Sequence, residues 1–123
     1  MSVASFDSNI LIDSLNANVA AQAELESIDE RWISRLTWIE VMSKVDGATL
    51  AATTALLSGF YIDEVSIPIA ERAAVLRNLR HSLKLPDAVI LASAQVNGRV
   101  LVTRNTRDFR PGVRGIRIPP YSL

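Results

Sequence analysis

The sequence predicts an α/β domain with a central, mostly parallel sheet of four to five short strands flanked by helices. Three observations lead there. Short apolar or β-branched runs alternate with longer stretches of helical periodicity, the order that right-handed strand–helix–strand crossovers produce. Val100-Leu101-Val102 is an unbroken apolar run, as a parallel strand covered on both faces requires. The chain has 123 residues, 49% of them hydrophobic, enough for one buried core and too few for two ordinary domains. A single domain over residues 1–123 is therefore expected.

The elements follow in order. Val3-Ala4-Ser5-Phe6 reads as a short buried strand, and Asp7-Ser8-Asn9 then offers capping side chains ahead of Ile10, Leu11 and Ile12. A second helix is expected over roughly Val19 to Ile28, and Trp32-Ile33-Ser34 as the second strand. Thr37 is expected to cap a helix from Trp38 to about Val45, which Asp46-Gly47 ends; Thr49 to Phe60, rich in Ala and Leu, forms the next. Tyr61 to Ile67 has the β-branched character of a third strand. Ile69 to Leu83 shows helical spacing, with Ala73, Leu76, Leu79, Arg80 and Leu83 on neighbouring turns. Pro86 suits a first helical turn, and the helix it opens, to Val96, is apolar on nearly every side and so belongs in the core. Gly98 closes it. The strand at 100–102 gives way to Thr103, and a last short strand including Ile116 and Ile118 is stopped by Pro119-Pro120.

Composition removes several chemistries. Cysteine is absent and His81 is the single histidine, so a disulfide framework, a thiolate metal site, a cysteine nucleophile and a serine–histidine triad lack their parts. No apolar run is long enough to span a bilayer, and Met1 is followed by neither a basic segment nor an uninterrupted apolar one, so a soluble cytoplasmic protein is expected. Net charge is zero but unevenly spread. Up to Glu71 eleven acids face only Arg31, Arg35 and Lys44; from Arg72 onward ten Lys or Arg face two acids, Asp87 and Asp108. That basic half is either a footprint for a nucleic acid or a solvated face balanced by acids folded against it.

In open α/β sheets ligands bind beyond the carboxyl ends of the strands. Asp7 directly follows the first strand, and the segment from Thr103 to Asp108 directly follows the fourth, so both acids are delivered to one edge. Each acid also has an ordinary explanation. Asp7 could cap a helix, although Ser8 and Asn9 are equally good caps. Glu40 falls opposite the helix face of Trp38, Val41, Met42 and Val45, where solvation is the default. Asp87 opens an apolar helix and suits its dipole. Asn105 and Asp108 have the spacing of a capping box. Independent capping, however, would not bring the acids to one end of the sheet. Carboxylates brought close repel one another unless a cation neutralises them, and oxygen ligands without Cys or His select Mg2+ or Mn2+. Such an ion suits phosphodiester hydrolysis, with Arg104, Arg107 and Arg110 nearby as candidate contacts to a polyanion.

Phe6-Asp7-Ser8-Asn9-Ile10-Leu11-Ile12, Thr37-Trp38-Ile39-Glu40-Val41, Leu85-Pro86-Asp87-Ala88 and Leu101-Val102-Thr103-Arg104-Asn105-Thr106-Arg107-Asp108-Phe109 together resemble a PIN-domain protein of the VapC toxin type. The resemblance covers essentially the whole chain, in the family's motif order. It implies a single PIN-like domain in which Asp7, Glu40, Asp87 and Asp108 form an acidic quartet around Mg2+ or Mn2+. Asn9 and Thr103 match positions that support the pocket by hydrogen bonding, and Asn105 one close to it. Also implied are an endoribonuclease that cuts exposed loops of transfer or ribosomal RNA, a cognate VapB-type antitoxin and a homodimer; unstacked loop nucleotides are physically sensible targets. Leu50, Leu56, Leu57 and Phe60 are candidates for a protein interface or for the domain's own core. Two other readings are a PIN-like module that binds RNA or protein without cutting, and a receiver-like phosphoacceptor domain. The receiver family requires a lysine after its last strand, where this chain has none.

Overall fold

The sheet has five strands, all parallel, with the first strand of the chain at its centre. A computed structural model describes residues 2–123, so Met1 of the expected domain lies outside the described residues. In chain order the elements are β1 (Val3–Phe6), α1 (Ser8–Leu15), α2 (Val19–Glu26), β2 (Glu30–Ser34), α3 (Arg35–Met42), α4 (Leu50–Leu57), β3 (Tyr61–Asp63), α5 (Ile67–Leu79), α6 (Leu85–Val96), β4 (Leu101–Val102) and β5 (Ile116–Arg117). The expected α/β class and parallel sheet are what the chain adopts.

Two apolar clusters sandwich the sheet, because successive side chains of a strand point to opposite faces. Phe6, Ile33 and Val102 meet Ile10, Leu11, Leu25, Val41 and Leu57 of the first four helices on one face. Leu101 meets Ile69, Ala73 and the Ala88–Ala94 stretch of α5 and α6 on the other. Leu57 and Phe60 belong to the first cluster, with the Phe60 ring edge-on to Phe6 at 6.1 Å, while Leu50 stays exposed.

Several boundaries shift for local reasons. The third strand stops at Asp63 instead of reaching Ile67: Ser66 accepts from the Ile69 amide at 3.4 Å and caps α5, whose first turn takes Pro68. That helix ends at Leu79, short of Leu83, and Arg80 turns into extended backbone. Ser34, not Thr37, caps α3 by accepting from Leu36 N at 3.1 Å; Thr37 is fully buried within the helix. The predicted helix from Thr49 to Phe60 is shorter at both ends, following a turn in which Asp46 accepts from the Ala48 and Thr49 amides. The last strand holds Ile116 but not Ile118.

The topology has one functional consequence. The chain builds outward from β1 to β2 and β3, then returns to place β4 on the other side of β1. The carboxyl ends of β1 and β4 therefore flank the switch point, where the crevice of an open parallel sheet lies.

Candidate active site

Asp7 follows β1 at that crevice and does two jobs. Its Oδ1 accepts from the Ser8 amide at 2.8 Å, capping α1, while Oδ2 accepts from Thr103 Oγ1 at 2.8 Å and from Asn9 Nδ2 at 3.4 Å. Capping thus falls to Asp7 itself and not to Ser8 or Asn9; a carboxylate has oxygens enough for both tasks. Burial pushes the Asp7 carboxyl up to about 6, against the lowering hydrogen bonds from Thr103 and Ser8; the neighbouring charges of Asp87 and Glu40 raise it as well.

Asp87 stands in the first turn of α6, where the helix dipole favours an anion. Its carboxyl is nevertheless raised above the ordinary range, first by burial, then by Asp108 and Glu40, with Lys84 and Arg80 opposing. Glu40 is half-buried, and its Oε2 accepts from Ser8 Oγ at 2.9 Å. The α3 face opposite Val41 is thus turned partly toward α1, and the fully outward place goes to Ile39, 50% exposed. Asn105 and Asp108 form half of the expected capping box, because the Asn105 backbone N–H donates to Thr103 Oγ1 and the Asp108 carboxylate takes the Asn105 side chain instead. Asn105 Nδ2 donates to Asp108 Oδ2 at 2.9 Å, and the Asp108 amide donates to Asn105 Oδ1 at 3.1 Å. The box closes a turn, with Phe109 N donating to Asn105 O at 3.0 Å, and does not grow into a helix.

All four acids line one open cleft of about 360 Å³, beside Ser8, Asn9, Lys84 and Asn105. Thr103 ties the loops beneath it together. Its hydroxyl donates to Asp7 and accepts from Asn9 Nδ2 at 3.3 Å and from the Asn105 amide at 3.0 Å. As the side chains stand, no three carboxylate or imidazole groups among the described residues are close enough to grip one ion. The donor set nevertheless suits a hard divalent cation: only oxygen ligands face the cleft as anions, and the Asp7 and Asp87 carboxyls are raised first by burial and then by neighbouring acids, both of which such an ion would offset.

The candidate arginines divide. Arg104 is already engaged, donating from Nε to Asp13 Oδ2 at 2.6 Å and from Nη2 to Oδ1 at 3.1 Å; Tyr121 also donates to Asp13 at 2.7 Å. The Arg104 amide donates to Asn9 Oδ1 at 3.1 Å, so this residue anchors the loop after β4. Arg107 and Arg110 line a neighbouring cavity shared with Asp108. Two residues of the site carry little signal in the sequence. Ser8, which holds Glu40, reads there only as a helix-cap candidate. Arg80, which donates to the Asp108 main-chain oxygen and to Oδ1 at 3.3 Å, falls within the helical spacing of residues 69–83, although the helix ends one residue before it.

The PIN domain family model matches residues 5–111. Among solved structures, the chain is similar to one in a toxin–antitoxin complex from Klebsiella pneumoniae, at 43% identity and a TM-score of 0.88, covering 98% of this chain and 99% of the other. It shares its fold with a chain of DNA-bound VapBC from Salmonella typhimurium, at 23% identity and a TM-score of 0.80 over 96% and 97% of the two chains. The same holds for a chain of FitAcB from Neisseria gonorrhoeae, at 22% identity and 0.72 over 87% and 90%. Curated protein sequences give no significant match. With the family model spanning most of the chain, and a solved relative aligned along nearly all of it, the chain belongs to the PIN-domain family.

Proposed function

We propose that the chain is the toxin of a toxin–antitoxin pair and acts as a Mg2+- or Mn2+-dependent endoribonuclease. The observation that carries this reading is the single cleft shared by Asp7, Glu40, Asp87 and Asp108 at the switch point of the sheet. Membership of the PIN-domain family and the 43% identity to a chain of a toxin–antitoxin complex support it.

The four acids would hold the cation. When bound, a divalent cation supplies a water of lowered pKa and positive charge against the developing negative charge of a phosphodiester. The chain's own residues do the rest. Thr103 and Ser8 orient Asp7, Ser8 also fixes Glu40, and Asn105 fixes Asp108, so three of the four carboxylates have a hydrogen-bond donor setting their direction, while Asp87 is placed by the first turn of α6. Arg107 and Arg110, which line the neighbouring cavity, would meet RNA, while Arg104 holds the loop that carries Asn105 and Asp108. The substrates in this reading are exposed loops of transfer or ribosomal RNA, whose nucleotides are not locked in a duplex. A VapB-type antitoxin and a second copy of the chain are its partners, and the cytoplasm is its place of action. No helix among the described residues is long and apolar enough to cross a membrane.

The test is cleavage. Purified chain, freed of any antitoxin, cuts RNA with Mg2+ or Mn2+ and stops in EDTA. Asp7→Ala and Asp87→Ala lose cutting by at least about a hundredfold while remaining folded by circular dichroism. Wild-type rates in both folded variants would refute the site.

A further inference from the structure

Asp108 borders three cavities, and only one of them is acidic. Next to the carboxylate cleft lies a pocket of about 290 Å³ lined by Arg80, Ser82, Lys84, Arg107 and Asp108. Lys84 and Asp108 line both, so the two spaces are adjacent. A further groove of about 470 Å³ shares Arg80, Ser82 and Arg107 with that pocket and adds Arg110 and Arg114. Five cations thus follow one path leading away from the acids. Lys84, Arg107, Arg110 and Arg114 make no ion pair among the described residues, whereas Arg99, Arg104 and Arg117 are each spent on an internal acid. Arg80 is the exception on the path: it holds Asp108, across a pair in which its own side chain is 43% exposed.

We propose that Arg80, Ser82, Lys84 and Arg107 form the subsite for the RNA phosphate adjoining the scissile one, and that Arg80 exchanges Asp108 for that phosphate when the strand binds. This rests on the ribonuclease reading and deepens it. The chemistry points to a single-stranded polyanion. Cations line both cavities, guanidinium groups grip phosphate oxygens by paired hydrogen bonds, Ser82 offers a neutral donor, and the apolar Leu91, Phe109, Val113 and Ile116 of the larger groove can take the face of a base. The Arg80 contact to Asp108 Oδ1 is long, 3.3 Å, and open to solvent on the arginine side, so it is readily traded for a phosphate, while the bond to the Asp108 main-chain oxygen keeps the guanidinium in place. The exchange also has a consequence for the cleft, since it frees Asp108 Oδ1 at the moment RNA arrives.

The test separates binding from cutting. A fluorescent single-stranded RNA oligonucleotide is titrated with the protein in EDTA, where no cutting occurs, across a salt series. Arg80→Ala and Arg107→Ala are each expected to weaken binding about fivefold to tenfold at moderate salt. Each should also reduce the slope of log affinity against log salt by about 0.7, the share of one phosphate contact on a single strand. Arg35→Ala, which removes a cation paired with Glu64 instead, leaves affinity and slope unchanged. Asp108→Asn, by releasing Arg80, tightens binding more than the charge-matched Asp87→Asn does.

Wild-type affinity and slope in Arg80→Ala and Arg107→Ala would overturn the proposal. So would equal tightening by the two asparagine variants, or binding of polyglutamate in preference to RNA, which would mark the pocket as a seat for an acidic protein segment. If RNA binds through these residues but is never cut with Mg2+, the subsite stands and the ribonuclease reading fails. If cutting occurs and the arginine variants bind as wild type, the reverse holds.

Discussion

Asp7 is buried at the end of β1, with the Ser8 amide donating to one carboxylate oxygen and Thr103 to the other. Its position after a strand and before a helix is plain from Phe6-Asp7-Ser8, and its place at the sheet edge follows from the fold class. Its second hydrogen bond, to Thr103, is separated by 96 positions and no local pattern could announce it. Burial with other acids nearby leaves its carboxyl at about 6 against an ordinary 3.8. A carboxyl raised in the folded state adds stability below its unfolded value and loses it as pH rises through the folded one. The metal-free protein should therefore lose about 1–1.5 kcal/mol between pH 5 and pH 7.5 on account of Asp7. Asp7→Asn removes that part of the loss. Urea unfolding of both proteins in EDTA at the two pH values checks this, and the same pH dependence in variant and wild type would contradict it. Arg80 marks the opposite case: nothing in Leu79-Arg80-His81 says that the helix ends there and frees the side chain for Asp108.

At the scale of elements, type and order are legible in the sequence and the ends are not. Helix α6 is apolar around most of its surface and closes where Gly98 stands, at φ +65°, with Arg99 N donating to Ala94 O at 2.9 Å and Gly98 N to Gln95 O at 3.2 Å. The end of α1 has the same bonds, Asn18 N to Asp13 O and Ala17 N to Ser14 O, both at 3.0 Å, yet Ala17 occupies the left-handed position at φ 65°. An alanine there is strained where glycine is not. Ala17→Gly should accordingly stabilise the protein by about 0.5–1 kcal/mol, read as a higher urea midpoint. A lower midpoint would mean that the strain is compensated elsewhere. Strand lengths were misjudged because β propensity does not count backbone bonds: Val65 and Ile67 look like strand, but Ser66 caps a helix between them.

Across the whole molecule, the uneven charge of the sequence resolves into two populations. Arg99, Arg104 and Arg117 fold back on Asp63, Asp13 and Glu24 from the acidic half, as the balanced-face reading expected. Arg107, Arg110 and Arg114 remain along the cavities beside Asp108. Sequence position alone could not sort them, since pairing depends on which strands become neighbours. The Asp13–Arg104 pair joins α1 to the loop after β4, and Tyr121 brings in the last residues of the chain. Asp13→Asn should cost about 2–3 kcal/mol, because it leaves the Arg104 guanidinium without its charge partner; Arg104 is 27% exposed, so solvent recovers part of the loss. A shift below about 0.5 kcal/mol in urea unfolding would show that the pair does not hold the loop.

The four acids reach a common cleft because of topology: β1 and β4 are adjacent, α6 begins beside them, and α3 packs against α1. In the proposed function all four acids hold one divalent cation. Calorimetric titration of Mn2+ into the metal-free protein measures that binding. Wild type should bind with a measurable affinity, and Asp7→Asn, Glu40→Gln, Asp87→Asn and Asp108→Asn should each weaken binding by roughly tenfold or more. No binding by wild type, or unchanged affinity in folded variants, would rule out a cation site in this cleft.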